Sequence, residues 1–199
     1  MSELQNKLNA FKQIVINNCN NENFSYREWF VNDHLIIVEK IAMELCEKYP
    51  NADKDIVFAL VWFHDFGKPI DEKNEREITK TKGVEEMKQI GLSQEFIEKV
   101  LEFWTRMEMK NEIDISKEAI EVQIVSTADG ASHFVGKFYS TYFEDLSTEG
   151  IKKIENELSA KITQDWERKI VLPETKEAFK ERYLKALEIT GKYPEKFIS

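Results

Sequence analysis

The residues of this chain best suited to catalysis or metal binding are three histidines and two aspartates that lie among apolar residues: His34, His64, His133, Asp65 and Asp129. On a helix, His34 shares one face with Val31 and Val38, so its imidazole is predicted to point into the core. A buried imidazole needs a polar partner. Because a nearby carbonyl would satisfy it as well as a metal ion would, His34 alone leaves both interpretations open.

The aspartates pose a sharper electrostatic problem. His64 and Asp65 follow an apolar helical run, and Asp129 continues the apolar stripe of Val125. A carboxylate buried on such a face costs several kcal/mol unless a cation compensates it. One divalent ion, bound by these three groups and by His34 from three separate helices, would satisfy all of them. The mixed nitrogen and oxygen donors favour Mn, Fe, Co, Ni, Mg or Zn over Cu(I).

The same residues resemble the pattern of the HD-domain metal-dependent phosphohydrolases. That pattern combines a helical histidine, a His-Asp pair in the context Phe-His-Asp-Phe-Gly-Lys at 63–68, and a distant helical aspartate, over about 32–133. The resemblance implies an all-helical fold, hydrolysis of phosphate esters, often of nucleotides, and one metal held by His34, His64, Asp65 and Asp129. Members with two or three metals have further histidines in windows that correspond to 78–83 and 103–109, and neither window contains one. The mononuclear form is therefore implied.

We expect water activated by the metal to attack phosphorus, because a divalent ion lowers the pKa of bound water and polarises a phosphoryl oxygen. Asp65 would orient or deprotonate that water. Lys68, three residues after Asp65, is the first candidate cation for the substrate phosphate and for the charge of the transition state. The alternative for Lys68 is an exposed lysine placed favourably at a helix C-terminus.

His133 lies one helical turn after Asp129 and is therefore predicted to lie near the metal. It is a candidate to bind the substrate phosphate, to donate a proton to the leaving group, or to orient Asp129. A core imidazole bonded to a carbonyl is the remaining interpretation. Lys137, one further turn along, is a weaker candidate for a phosphate contact and is otherwise expected to face water.

The elements that position these residues are predicted to be helices, because apolar residues recur at helical spacing with no sustained alternation. We predict an all-α fold, a compact multi-helix bundle like an HD domain. One domain is expected over 1–199, with an HD-like core at about 26–138, an N-terminal helix and a C-terminal helical extension. Helices are predicted over 26–49 and 53–66, the second capped by Asp53, and later helices are predicted to open at Ser93 and Ser116.

Other side chains receive simpler interpretations. The charged segment 71–82 is predicted to be an exposed loop in which part of the chain can form a short helix. The aromatic residues Trp29, Trp62, Phe63 and Trp104 are expected in the core, although they could line a pocket that stacks on a base. Asp165 and Lys169 are spaced as an i,i+4 ion pair and are expected on the surface.

Composition limits the partners. Lys and Arg total 28 against 37 Asp and Glu, giving a net charge of −9, which argues against nucleic acid polymers and anionic membranes. An anionic substrate must therefore meet a local positive centre. The two cysteines lack metal-type spacing, and the longest apolar run is short, so a cytoplasmic location is expected.

The predicted partner is a small phosphorylated substrate, which can be a nucleotide. Two other functions stay open: a nucleotide-sensing or scaffolding module that retains the metal, and a metal that only stabilises the fold. The sequence leaves open the metal, the substrate, the oligomeric state, the role of 147–199 and whether 71–82 closes over the site.

Overall fold

The computed structural model describes residues 2–147, 150–193, 195–196 and 198, and every regular element in these ranges is helical. The all-α prediction is confirmed. The α-helices are α1 (Glu3–Cys19), α2 (Ile36–Lys48), α3 (Lys54–Phe63), α4 (Glu75–Ile78), α5 (Val84–Gln89), α6 (Gln94–Glu108), α7 (Ile120–Ser132), α8 (Phe138–Ser147), α9 (Ile151–Lys153), α10 (Ser159–Gln164) and α11 (Pro173–Glu188). Between them lie π-helical turns at Val31–Leu35, Thr79–Gly83, Ile154–Leu158 and Asp165–Lys169, and 3₁₀ turns at Glu72–Asn74 and Ile115–Lys117.

Helix α3 forms the centre of the main core. Asp53 caps it as predicted, because its side chain accepts hydrogen bonds from the backbone of Asp55 and Ile56. The helix is apolar on every face, and its residues from Val57 to Phe63 are buried apart from the half-buried Phe58. Helices α1, α2, α6 and α7 enclose it. Such enclosure is what a helix without a polar face requires.

Three element boundaries differ from the predictions. Helix α3 ends at Phe63 rather than Phe66, so the His-Asp pair lies in the turn that follows it. The second helix begins only with the π turn that carries His34, because 25–29 forms turns. Ser116 does not open α7: it lies in a 3₁₀ turn capped by Asp114, and α7 starts after Ala119. Segment 71–82 is largely exposed as predicted, but short helical turns cover nearly all of it, where a loop with one short helix was expected.

The C-terminal extension packs against the end of α7. Ala131 and Phe134 join a second apolar cluster with residues of the extension, such as Ile162 and Ile170. Gly130 permits this contact, because a Cβ atom there would lie 2.8 Å from the Cβ of Lys169. None of the helices in the described ranges is long and apolar enough to cross a bilayer.

Gly67, in the turn after α3, is required by packing rather than by its backbone angles. A Cβ atom at this position would overlap the carbonyl group of Glu75. The Gly67 N–H donates to Thr79 Oγ1 over 2.9 Å, and the same hydroxyl donates to the Glu75 carbonyl over 2.8 Å. The turn that carries the His-Asp pair is thus held against α4 at close range.

We predict that Gly67→Ala lowers the free energy of unfolding by about 1–3 kcal/mol, because the added methyl group forces α4 away from the turn. Urea denaturation followed by circular dichroism measures the loss. The exposed Lys73→Ala serves as control and should change stability by less than about 0.5 kcal/mol. Equal stability of Gly67→Ala and the parent protein would contradict the close packing.

Candidate metal centre

His34 is held in one orientation and one tautomer. The π turn Val31–Leu35 places it in the core, where it is 2% exposed. Its Nδ1 lies 2.9 Å from Ser132 Oγ, and that hydroxyl donates its own proton to the Asp129 carbonyl over 2.7 Å. Ser132 therefore accepts from His34 Nδ1–H, and the lone pair of His34 lies on Nε2. The ring presents this nitrogen to the two aspartates.

His64 shows the same arrangement. Its Nδ1 lies 2.6 Å from the Val61 carbonyl oxygen, which can only accept a hydrogen bond. Nδ1 therefore carries the proton, and Nε2 carries the lone pair. Among the buried side-chain nitrogen and oxygen atoms of the described residues, His64 Nε2 is the one without a hydrogen-bond partner. The Trp104 indole fixes the turn by donating to the His64 carbonyl over 3.0 Å. A buried imidazole nitrogen that carries a lone pair and has no hydrogen-bond partner is suited to bind a metal ion.

The two carboxylates lie within reach of the same nitrogens. Asp65 Oδ2 is 3.4 Å from His34 Nε2 and 3.5 Å from His64 Nε2. Asp129 Oδ1 is 4.0 Å from His34 Nε2. Donors bound to one ion at about 2.0–2.2 Å lie at most about 4.4 Å apart, so each of these distances is compatible with a shared ion. Two sets of three donors that could hold a divalent ion result: His34 with His64 and Asp65, and His34 with Asp129 and His133.

Lysines neutralise both carboxylates. Lys68 Nζ lies 2.9 Å from Asp65 Oδ2, and Lys169 Nζ lies 2.7 Å from Asp129 Oδ2. Burial opposes ionisation of the two aspartates, but Lys68 beside Asp65 and Lys169 beside Asp129 outweigh it and hold the pKa of each carboxyl below its usual range. Both groups are therefore ionised at neutral pH, as metal ligands must be.

His133 belongs to the same cluster. Its Nε2 lies 3.4 Å from Asp129 Oδ1, and its Nδ1 lies 2.8 Å from Asp165 Oδ2. Tyr139 donates to the same Asp165 oxygen over 2.9 Å, and Lys161 donates to the other over 2.6 Å. Burial lowers the pKa of His133 to about 3 despite the carboxylate of Asp165, so the imidazole is neutral with its proton on Nδ1.

The surface position predicted for Asp165 and Lys169 is wrong. Asp165 is fully buried and Lys169 is 6% exposed. The π turn that they delimit packs on Gly130, which turns both side chains toward Asp129 and His133. The sequence signal for this burial was the run of small residues that follows Asp129, because small side chains let a second backbone pack closely. The run does not indicate which segment packs there.

Lys137 is not brought to this cluster. Its side chain is 65% exposed and pairs with Asp33 over 3.3 Å. It is not among the described residues that line the cavity beside the aspartates. The reason is that α7 ends at Ser132, so the helical turn that was predicted to carry Lys137 along the His133 face is absent.

A cavity of about 230 Å³ opens over the two aspartates and His133. Five cationic side chains line it: Lys68, Arg76, Lys110, Lys161 and Lys169. A second, more apolar cleft of about 180 Å³ adjoins it, since Lys68 and Phe138 line both. Trp29 lies in this cleft and is half-buried, whereas Trp62, Phe63 and Trp104 are core residues as predicted.

We predict that one equivalent of a divalent transition metal raises the free energy of unfolding, because the ion binds only the folded cluster. At a free metal concentration of 100 times Kd the increase is about 2.7 kcal/mol. Thermal unfolding with metal and with chelator measures it. In His64→Ala the increase should vanish, while Glu75→Gln, which removes a carboxylate that also lines the cavity, should retain it. An equal metal response in His64→Ala would contradict the site.

Comparison with known protein families agrees with this geometry. The family model described as the HD domain matches residues 31–133, which is more than half of the chain. Neither the curated proteins nor the solved structures include a match to the chain. The matched segment begins at the π turn of His34 and ends at His133, so it contains all three histidines together with Asp65 and Asp129, and it stops before Asp165 and Lys169. The chain belongs to the HD-domain family, a family of metal-dependent phosphohydrolases.

Proposed function

We propose that this protein is an enzyme that hydrolyses a phosphate ester of a nucleotide or of another small metabolite, using one divalent metal ion. One observation carries the proposal. The unpartnered Nε2 of His64 faces a carboxylate at the base of a cavity lined by lysines, in a chain whose net charge is −9. The first feature indicates a cation, and the second indicates an anionic substrate placed directly beside it.

The metal ligands of this proposal are His34, His64, Asp65 and Asp129. A divalent ion held there supplies a water of lowered pKa and polarises a phosphoryl oxygen. Asp65 is the residue proposed to orient the attacking water and to accept its proton, because its side chain is 16% exposed at the cavity whereas both histidines are more deeply buried.

The cavity lysines are the proposed phosphate site. Burial and the neighbouring Lys169 lower the pKa of Lys161 to about 8, and burial lowers the pKa of Lys110 in the same direction. The carboxylates beside them, Asp165 and Glu108, only partly offset the effect of burial on these ammonium groups. A bound phosphate group would add negative charge beside them. Lys68, which borders both the cavity and the apolar cleft, is placed to hold the phosphoryl oxygens during the reaction.

The apolar cleft is the proposed site for the organic part of the substrate. Trp29, Phe30, Phe138 and Tyr142 contribute aromatic rings to its lining. Aromatic rings stack favourably on planar groups such as nucleobases. Because the cleft joins the cavity at Lys68 and Phe138, one molecule can place its phosphate at the lysines and its ring in the cleft.

The open cavity also bears on the competing functions. A purely structural metal site is closed by its ligands, whereas Asp65 and Asp129 keep 16% and 11% of their side chains exposed. The accessible site therefore favours chemistry over a stabilising role. A sensing module that binds a nucleotide without hydrolysing it would use the same residues, so it is distinguished by turnover.

We predict that the protein releases phosphate from at least one member of a panel of nucleotides and sugar phosphates, that chelator abolishes this activity, and that a divalent metal restores it.

Lys68→Met should lower kcat/KM by about 10²–10³-fold without changing metal content, because it removes a cation that stabilises the transition state. Release of phosphate and elemental analysis provide the measurements.

The matched control is Lys180→Met, an exposed lysine on α11 that should retain the activity of the parent protein. Loss of the metal in Lys68→Met would contradict its assigned role. If a nucleotide binds but is not hydrolysed with any of the divalent metals added, the protein is a sensing module rather than an enzyme.

Trp29→Ala should raise KM about tenfold or more for a substrate with an aromatic ring, since base stacking on an aromatic side chain contributes about 1–3 kcal/mol. The same variant should leave KM for a small aliphatic phosphate ester within about twofold. Steady-state kinetics on one pair of substrates, such as a nucleoside monophosphate and glycerol phosphate, tests the difference. Equal effects on both substrates would contradict a ring site in the cleft.

A further inference from the structure

Two groups of aromatic residues line the apolar cleft beside the cavity. Tyr26, Trp29 and Phe30 come from the segment that precedes the π turn of the second helix, and Phe138 and Tyr142 lie one turn apart on α8. The two groups meet where the rings of Trp29 and Phe138 lie edge to face, with centroids 6.3 Å apart. Aromatic side chains stack on any nucleobase, because every base has a π-face. These rings therefore favour a planar group without selecting which one.

Selection among planar groups has to come from the polar residues of the cleft. Those among the described residues are Lys68, Glu72, Thr141, Tyr26 and Tyr142. Hydroxyl groups both donate and accept, so they suit most ring edges. Lys68 lies at the junction with the cavity and pairs there with Asp65. Glu72 is the one carboxylate in this set, and a carboxylate only accepts hydrogen bonds.

The backbone of Glu72 is held in place, whereas its side chain has no partner. The 3₁₀ turn that begins at Glu72 is capped by Asp71, whose side chain accepts hydrogen bonds from the backbone of that turn. The Asp71 N–H donates to the Gly67 carbonyl over 2.9 Å, which ties this turn to the one that carries the His-Asp pair. None of the described residues forms a hydrogen bond or ion pair with the Glu72 carboxylate. Its two oxygens are therefore available to a bound molecule.

Nucleobases differ in the donors that they can present to such a carboxylate. The Watson–Crick edge of guanine carries two adjacent donors, the ring N–H and the exocyclic amino group, which match the two oxygens of a carboxylate. Adenine and cytosine carry a ring nitrogen acceptor beside the amino group, and uracil carries one N–H between two carbonyl oxygens. An acceptor that faces a carboxylate is repelled by it. Guanine is thus the base whose edge complements Glu72.

We propose that Glu72 is a specificity-determining residue that selects guanine nucleotides by accepting hydrogen bonds from the Watson–Crick edge of the base. The inference rests on the proposed function and names its substrate class. The phosphate binds at the cavity lysines, and the guanine ring lies in the cleft with its edge toward Glu72. Because Glu72 is exposed, water solvates its carboxylate when another base is bound, and the selection is moderate rather than absolute.

Three nucleoside monophosphates test the inference, by titration calorimetry on the metal-free full chain and by steady-state kinetics on the metal-loaded chain. Guanosine monophosphate should exceed adenosine monophosphate at least about tenfold in affinity and in kcat/KM, as expected for a hydrogen bond to a charged group. Inosine monophosphate, which lacks the exocyclic amino group, should lie between them. Glu72→Gln should lose the preference, because an amide places a donor beside its acceptor and so pairs with adenine as well.

The matched control is Glu77→Gln, which removes an exposed carboxylate of α4 that lines neither the cavity nor the cleft. It should keep the parent preference. Equal values for guanosine and adenosine monophosphates in the parent protein would overturn the inference and leave the proposed function intact. An unchanged preference in Glu72→Gln, or no binding of any of the three nucleotides, would also overturn it. If no phosphate ester is hydrolysed, the proposed function fails, while calorimetry still decides the role of Glu72.

Discussion

Carboxylates buried inside a helical protein are the constraint on which this structure depends. Asp129 and Asp165 are buried and the Asp65 side chain is 16% exposed, and withdrawing each of these charges from water costs several kcal/mol unless it is compensated. The chain meets this cost with lysines, which pair with all three at 2.6–2.9 Å. The result is a cavity lined by five cationic side chains and four carboxylates, in a protein whose net charge is −9. On the proposed function, the ionised carboxylates bind the divalent cation and the cationic side chains bind the anionic substrate.

The polar centre is assembled by segments that are far apart in the chain. Helices α2 and α7 pack together and bring His34 close to Asp129, while the turn after α3 carries His64 and Asp65. The extension then packs on Gly130 and adds Asp165 and Lys169. The segment that defines the family therefore contains the proposed metal ligands of the HD pattern, whereas the groups that orient and neutralise them come in part from outside it.

Much of this arrangement could be predicted from sequence because it is encoded locally. Asp53 caps α3, the apolar run after it is enclosed, and the family pattern locates the four side chains that are proposed to bind the metal. The burial of Asp165 and Lys169 could not be predicted in the same way. An i,i+4 ion pair has the same sequence pattern on a surface and in an interior, and only the packing of the extension on α7 distinguishes the two. Lys137 faces water, which was the main expectation for it, and helical spacing did not bring it to the cluster because α7 ends at Ser132.

The π turn at Val31–Leu35 has a consequence for how the chain tolerates changes in length. Its closing hydrogen bond runs from the Ile36 N–H to the Val31 carbonyl, so the turn holds one residue more than an α-helical turn. Deleting that residue would give a regular helix but rotate everything before it by about 100° relative to α2. Insertions and deletions are better tolerated in the exposed segment 20–23, which precedes Phe24 and carries none of the proposed site residues. Within the turn itself the number of residues is fixed. Homologues should therefore differ in chain length before the π turn but not within it.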